Sequence, residues 1–265
     1  MKKTIRAVVL LFFLAGAVFC GYQIYSIWAE YHTSEVLYQD IQQYVTYQEE
    51  THPTKMLPTI TETTPKAETQ PQATEPQRVY PSIDFQALQQ INKDTVAWIC
   101  IEGTNINYPV VQGTDNRHYV STMIDGTPNG SGSIFLDYRN KPDFSDPHTI
   151  LYGHNMQNGS MFHDICNYKD PDFYASHPTG LLMTPDGNYY FEIVSAYVAS
   201  LADSAWQIEF VDDTDLHDWV SASVERSAFV SPIQPQPGDR IITLSTCSYE
   251  FNDARFVLVG ILREE

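Results

Sequence analysis

Apolar and polar positions divide this chain into three regimes. Between Ala7 and Cys20 nearly every residue is apolar, and the run resumes after Gln23 as far as Trp28 and Ala29. A stretch of about 20 such residues crosses the hydrocarbon core of a bilayer. Lys2, Lys3 and Arg6 precede it, which predicts a cytoplasmic N-terminus and an extracellular remainder. Ala15-Gly16-Ala17 has the small-residue character of a signal-peptidase site. The apolar character nevertheless persists to Trp28, and Tyr22, Tyr25 and Trp28 suit a membrane interface. Residues 1–29 are therefore read as a basic tip and an uncleaved, single-pass signal anchor. Cys20 follows bulky Phe19, which argues against a lipoprotein site. In the second regime Val36, Leu37, Ile41, Tyr44 and Val45 fall near helical spacing and predict an amphipathic stalk over 30–50, with the downstream domain as a candidate partner. Residues 51–80, rich in Thr, Pro, Glu and Gln, hold no run able to build a core and read as a disordered tether.

The third regime, 81–265, is long enough for one domain with a sizeable core. Short runs rich in β-formers predict strands over Val96–Glu102, Ile106–Gln112, Ser133–Tyr138, Thr149–Gly153, Leu181–Thr184, Tyr189–Val198, Arg240–Cys247 and Phe256–Leu262. Helices are expected at Asp84–Ile91, Met156–Tyr168 and Asp215–Ala228. The last carries Leu216, Trp219, Val220 and Val224 on one face behind capping candidates Asp213 and Thr214. Eight strands with few helices predict a mainly β fold, a barrel with peripheral helices.

Charge narrows the partners. With 15 Lys and Arg against 33 Asp and Glu, the chain carries a formal net charge of −18, opposite to a nucleic-acid footprint. A solvated acidic surface accounts for it. No calcium-loop pattern occurs, and His148, His154 and His163 lack the close pairing of a zinc motif, so neither metal nor cofactor is expected.

Candidate chemistry concentrates near the C-terminus. Thr243-Leu244-Ser245-Thr246-Cys247 ends one predicted strand, Arg255 begins the next, and Asn252 and Asp253 mark a turn between them. An antiparallel hairpin would set Cys247 beside Arg255. The thiol is a nucleophile, whereas a guanidinium stays protonated and is suited to stabilising a thiolate or an oxyanion. A proton acceptor is still needed, and His154, at the end of the Thr149–Gly153 strand, is the best candidate; a lone histidine or a lone cysteine is by itself more often structural. The order His before Cys does not fit papain-like enzymes. Of the four cysteines Cys20 lies in the anchor, while Cys100 and Cys166 read as small buried hydrophobes. A Cys100–Cys166 disulfide stays open; either way Cys247 is the odd thiol.

Taken together these residues resemble the class B sortases, membrane-anchored cysteine transpeptidases of Gram-positive bacteria. The Thr243–Cys247 signature with Arg255, and Tyr152-Gly153-His154-Asn155-Met156, are similar to the family's cysteine, arginine and histidine motifs. Further similarity runs through Asn92-x-Asp94-x-x-x-Trp98, Gly103 to Gln112, Asp115-Asn116, Gly132 to Asp137 and Gly159 to Phe162. The resemblance implies a closed sortase-like barrel over 81–265 with His154, Cys247 and Arg255 as catalytic residues. It also implies that Asn116, Val120 and Ser245 line the substrate groove; the 197–210 segment keeps the length of the family's substrate-contacting loop but not its side chains, with Leu201, Ala205 and Trp206 at the contact positions. By the same resemblance, the enzyme would cleave the C-terminal sorting signal of secreted proteins after threonine. It would then pass the acyl group to a peptidoglycan cross-bridge amine. A pilin-polymerising sortase, a hydrolytic cysteine peptidase and a non-catalytic membrane-anchored binding module stand as alternatives.

Overall fold

The computed structural model describes residues 2–47 and 78–265. Most of the expected tether, 51–77, therefore lies outside the described residues, as do 48–50. Helix α1 (Lys2–Ile41) joins the expected anchor and stalk in one rod, long and apolar enough over its first part to cross a membrane. A short 3-10 turn (Gln42–Tyr44) follows, then β1 (Val45–Thr46), which pairs antiparallel with β2 (Ser82–Ile83).

Beyond the apolar stretch α1 lies against the domain. Its buried residues are Ser34, Tyr38 and Ile41, followed by Val45, so the contact face is rotated from the one expected: Val36 is exposed. The Tyr38 hydroxyl decides the rotation. It donates to the Gly132 carbonyl at 2.7 Å, while Gln42 and Asn107 exchange amide hydrogen bonds at 2.8 and 2.9 Å.

Eight strands build the barrel: β3 (Thr95–Cys100), β4 (Asn107–Val111), β5 (Ile134–Leu136), β6 (His148–Tyr152), β7 (Thr179–Met183), β8 (Asn188–Ser200), β9 (Arg240–Cys247) and β10 (Ala254–Glu264). They close in the order β10-β8-β7-β3-β4-β5-β6-β9, which leaves no open edge. All eight expected strands are present, with ends shifted by a few residues. Pairing is antiparallel except at β4–β5 and β6–β9.

The unbroken apolar run of β10 has a packing cause. Phe256, Leu258 and Leu262 belong to the main core with Trp98, Ile99, Leu136 and Phe191, whereas Val257, Val259 and Ile261 join a second cluster with Leu216 and Val220 of helix α4 (Asp213–Glu225). A strand covered on both faces needs no polar alternation. Helix α2 (Phe85–Ile91) starts on Asp84, whose carboxylate accepts from the Ala87 amide. For α4 the cap is Asp212, accepting from the Thr214 and Asp215 amides, one residue earlier than expected.

The helix expected over Met156–Tyr168 does not form. Gly159 and Met161 take positive φ of 84° and 59°, and Asn155 bridges back to Met161, so a tight turn precedes a 3-10 segment, His163–Lys169. The apolar residues Met161, Phe162, Ile165 and Tyr168 of the expected helix are buried all the same. Helix α3 (Pro171–Ser176), capped by Asp170 with proline in its first turn, was not anticipated.

Candidate active site

Register brings the reactive residues together. Along β9 alternate side chains share a face, so Thr243, Ser245 and Cys247 point the same way. On the antiparallel neighbour Arg255 lies directly opposite Cys247. On the other side β6 runs parallel to β9 with Tyr152 opposite Ser245, and both chains advance two residues to reach His154 and Cys247. Gly153, between Tyr152 and His154, allows the close approach here. A Cβ on it would lie 2.4 Å from Ile134 Cδ1 and 2.8 Å from the Phe162 ring.

A cleft of about 330 Å³ is lined by Cys247, His154 and Arg255 together with Asn116, Val120, Ser245, Leu201 and Trp206. Every site residue named from the sequence thus borders one cavity. Asn116 and Val120 come from the β4–β5 connection, and Leu201 and Trp206 from the turn after β8. Leu201 and Val120 are partly exposed, giving the cleft an apolar wall open to a ligand.

Hydrogen bonds orient the polar groups. His154 Nε2 donates to the Val120 carbonyl at 2.6 Å. Gly132 makes room for that carbonyl: its φ is +56°, and a Cβ on it would sit 2.5 Å from Val120 O. The nearby acid Glu250 pairs with Lys169 and accepts from the Ser248 hydroxyl. Among the described residues the Arg255 guanidinium donates only to the carbonyl of its neighbour Ala254, at 3.0 Å, and has no carboxylate partner. Its remaining donors are left to the cleft.

Sequence reasoning missed the buried support. Asp137, fully buried, accepts from Asn116 Nδ2 at 2.9 Å, from the Tyr152 hydroxyl at 2.8 Å and from Arg139 through Nε and Nη2 at 2.9 and 2.7 Å. Burial raises its carboxyl, but these donors more than offset that and hold it below the ordinary carboxylate range. Arg139 Nη2 also reaches the Trp206 carbonyl at 3.3 Å. One anion therefore ties both sides of the cleft. His148 is the second support: Nδ1 donates to the Gln207 carbonyl at 2.6 Å and Nε2 accepts from the Thr243 hydroxyl at 2.8 Å. The Trp206 indole donates to Ser245 Oγ at 3.1 Å. Asp137 closes a motif visible in the sequence, and that was its only signal; nothing in the sequence singled out His148.

All four cysteines are free, so the Cys100–Cys166 disulfide left open by the sequence is not formed. Burial pushes the Cys100 and Cys166 thiols up to about 11, which keeps both protonated.

A closed barrel sets a thiol, an imidazole and a guanidinium around one cleft, the groups that thiol-dependent acyl transfer requires. The sortase domain family matches residues 99–262. Sortase B of Listeria monocytogenes is 39% identical over 181 residues, covering 68% of this chain and 74% of the relative. A solved Staphylococcus aureus sortase B–substrate complex superposes with a TM-score of 0.65 at 34% identity, over 68% of this chain and 84% of that one. Sortase B from Bacillus anthracis in complex with AAEK1 gives 0.71 at 29% identity, over 90% and 100%. The chain belongs to the sortase family and, within it, to class B.

Proposed function

We propose that this transpeptidase cleaves a C-terminal sorting signal after threonine and transfers the new acyl end to an amine of a peptidoglycan cross-bridge. Cys247 Sγ attacks the threonine carbonyl, forming a C–S bond and a tetrahedral oxyanion that accepts hydrogen bonds from Arg255. His154 takes the thiol proton and returns it to the departing amine as the C–N bond breaks, leaving a thioester. The Val120 carbonyl keeps a proton on Nε2, so Nδ1 is the nitrogen available for this exchange. The acceptor amine then attacks the thioester, a new amide forms, and the thiol is regenerated. Asn116, Val120, Ser245, Leu201 and Trp206 hold the sorting peptide along the apolar wall.

The observation that carries this reading is the Cys247–Arg255 cross-strand pair, with an arginine that no carboxylate among the described residues neutralises. In the cell α1 would cross the membrane once with its basic N-terminus inside, leaving residues 30–265 outside. No nucleic acid or cofactor has a part in this scheme.

Mass spectrometry of products from a sorting-peptide library incubated with candidate amines tests it. Peptide–amine adducts joined after threonine are expected from the native enzyme and none from Cys247→Ala. Hydrolysed peptide as the sole product would assign the enzyme to the peptidases, adducts confined to a lysine side chain to the pilin polymerases, and turnover by Cys247→Ala would remove the thioester.

A further inference from the structure

The β6–β9 ladder stops where the chemistry begins. Gly153 N–H donates to the Ser245 carbonyl at 3.2 Å, and two residues further a continuing parallel ladder would carry the Asn155 N–H to the Cys247 carbonyl. The chain turns away instead. Asn155 bridges to Met161, and the Phe162 N–H donates to the His154 carbonyl at 2.8 Å. This leaves the Cys247 carbonyl, at the end of β9, without its ladder donor.

The Asn155 side chain supplies one. Its Nδ2 donates to the Cys247 carbonyl at 3.0 Å and also reaches Cys166 Sγ at 3.4 Å. Its Oδ1 faces His163 Nδ1 at 2.8 Å, and an amide oxygen can only accept, so His163 is the donor. That bond fixes the amide with nitrogen toward Cys247; turned over, it would set oxygen against a carbonyl and nitrogen against an N–H.

We infer that Asn155, oriented by His163, is a positioning residue that fixes the separation of Cys247 from His154. It adjoins His154 in the chain and grips the backbone of Cys247 from the side, so one rigid amide couples the two partners. The hairpin turn 248–253 gives Cys247 no comparable restraint on the β6 side. Neither Asn155 nor His163 borders the cleft, so neither is expected to touch the peptide. The inference rests on the proposal that Cys247 and His154 react.

The test uses the full-length enzyme in vesicles. Asn155→Asp keeps the shape but replaces the donor with an acceptor aimed at a carbonyl, and Asn155→Ala removes both. Each is expected to lower kcat on the order of 100-fold, the cost of a misplacement of about 1 Å, with KM little changed. Alkylation of Cys247 by iodoacetamide, followed by mass spectrometry to separate it from Cys166, needs a thiolate but no alignment with a peptide. It should stay within a few-fold of native. His163→Ala should lose part of kcat, and His163→Gln, which restores a donor to Asn155 Oδ1, should recover it.

Near-native kcat in either Asn155 variant would overturn the inference. So would a parallel fall of alkylation, kcat and melting temperature, which would mark a purely structural role. If the Asn155 variants fail to fold, the His163 pair carries the test, and equal kcat in His163→Ala and His163→Gln would overturn it. Cys247→Ala run alongside separates the two levels. If it turns over peptide, the underlying mechanism fails; if it is dead while Asn155→Asp is normal, only the positioning role fails.

Discussion

Acid should loosen this enzyme through His148 before it touches the carboxylates. The imidazole is fully buried, between Gln207 and Thr243, with the Trp219 ring 4.6 Å and the Phe210 ring 6.0 Å from it. Burial is the main cause that lowers its pKa from 6.5 to about 4; the hydrogen bond to the Gln207 carbonyl and the Asp137 charge oppose it, and the Arg139 charge adds to it. Because the folded value lies below the unfolded one, the neutral ring contributes stability that is complete above about pH 6.5 and is lost as pH falls toward about 4. At about 1.4 kcal/mol per unit, the loss is about 2 kcal/mol by about pH 5 and about 3 kcal/mol by about pH 4. Glu250, lowered to about 2, gives up its contribution only below about pH 4.5, so the window above that belongs to His148. Urea denaturation of a fragment starting at residue 30, at intervals between about pH 7 and about pH 4.5, reads the slope. His148→Gln keeps a donor and an acceptor but cannot titrate, and is expected to be less stable at neutral pH and flat across that window. The same slope in both proteins would refute the reasoning.

Four other perturbations have defined outcomes. Arg255→Lys keeps the charge but not the planar donors, so kcat should fall roughly 100- to 1,000-fold with an unchanged melting curve; near-native turnover would remove Arg255 from the reaction. Asp137→Asn should cost about 2–3 kcal/mol in urea, less than a fully buried ion pair because Arg139 is 41% exposed, and should raise KM as Asn116 and Trp206 lose their tie. Truncation to residue 30 should give a soluble, active protein. Truncation to residue 78 also removes buried Tyr38, Ile41 and Val45 and should lower stability by at least about 3 kcal/mol, and equal melting temperatures for the two fragments would refute the docked stalk. Replacing 50–76 with a short Gly-Ser linker should change neither stability nor turnover, measured by melting and by peptide kinetics, because Thr46 and Ser82 already pair and hold the ends of that segment together.

The eight barrel strands were legible because each is a run of β-formers bounded by Gly, Pro, Asn or Asp, a purely local signal. The long apolar helix at the N-terminus was legible because such a run needs no partner to declare itself. The pairing of Cys247 with Arg255 was legible from spacing alone, since a hairpin fixes register over a short connection. The expected Met156–Tyr168 helix shows the limit of this reading. Its apolar spacing is real, but the core takes those side chains from a turn with two positive-φ residues, and periodicity does not distinguish the two. The partners of Asp137, His148 and Asn155 were beyond its reach for a related reason. Each residue acts through partners far away in the chain: Asp137 on Tyr152, His148 on Gln207 and Thr243, Asn155 on Cys247. Local sequence determined the strands, the long apolar N-terminal helix and which candidate groups the chain carries, because propensity and hydrophobic period act over a few residues. Barrel closure decided which buried polar side chains meet, since long-range hydrogen bonds depend on a register and a packing that no short segment encodes.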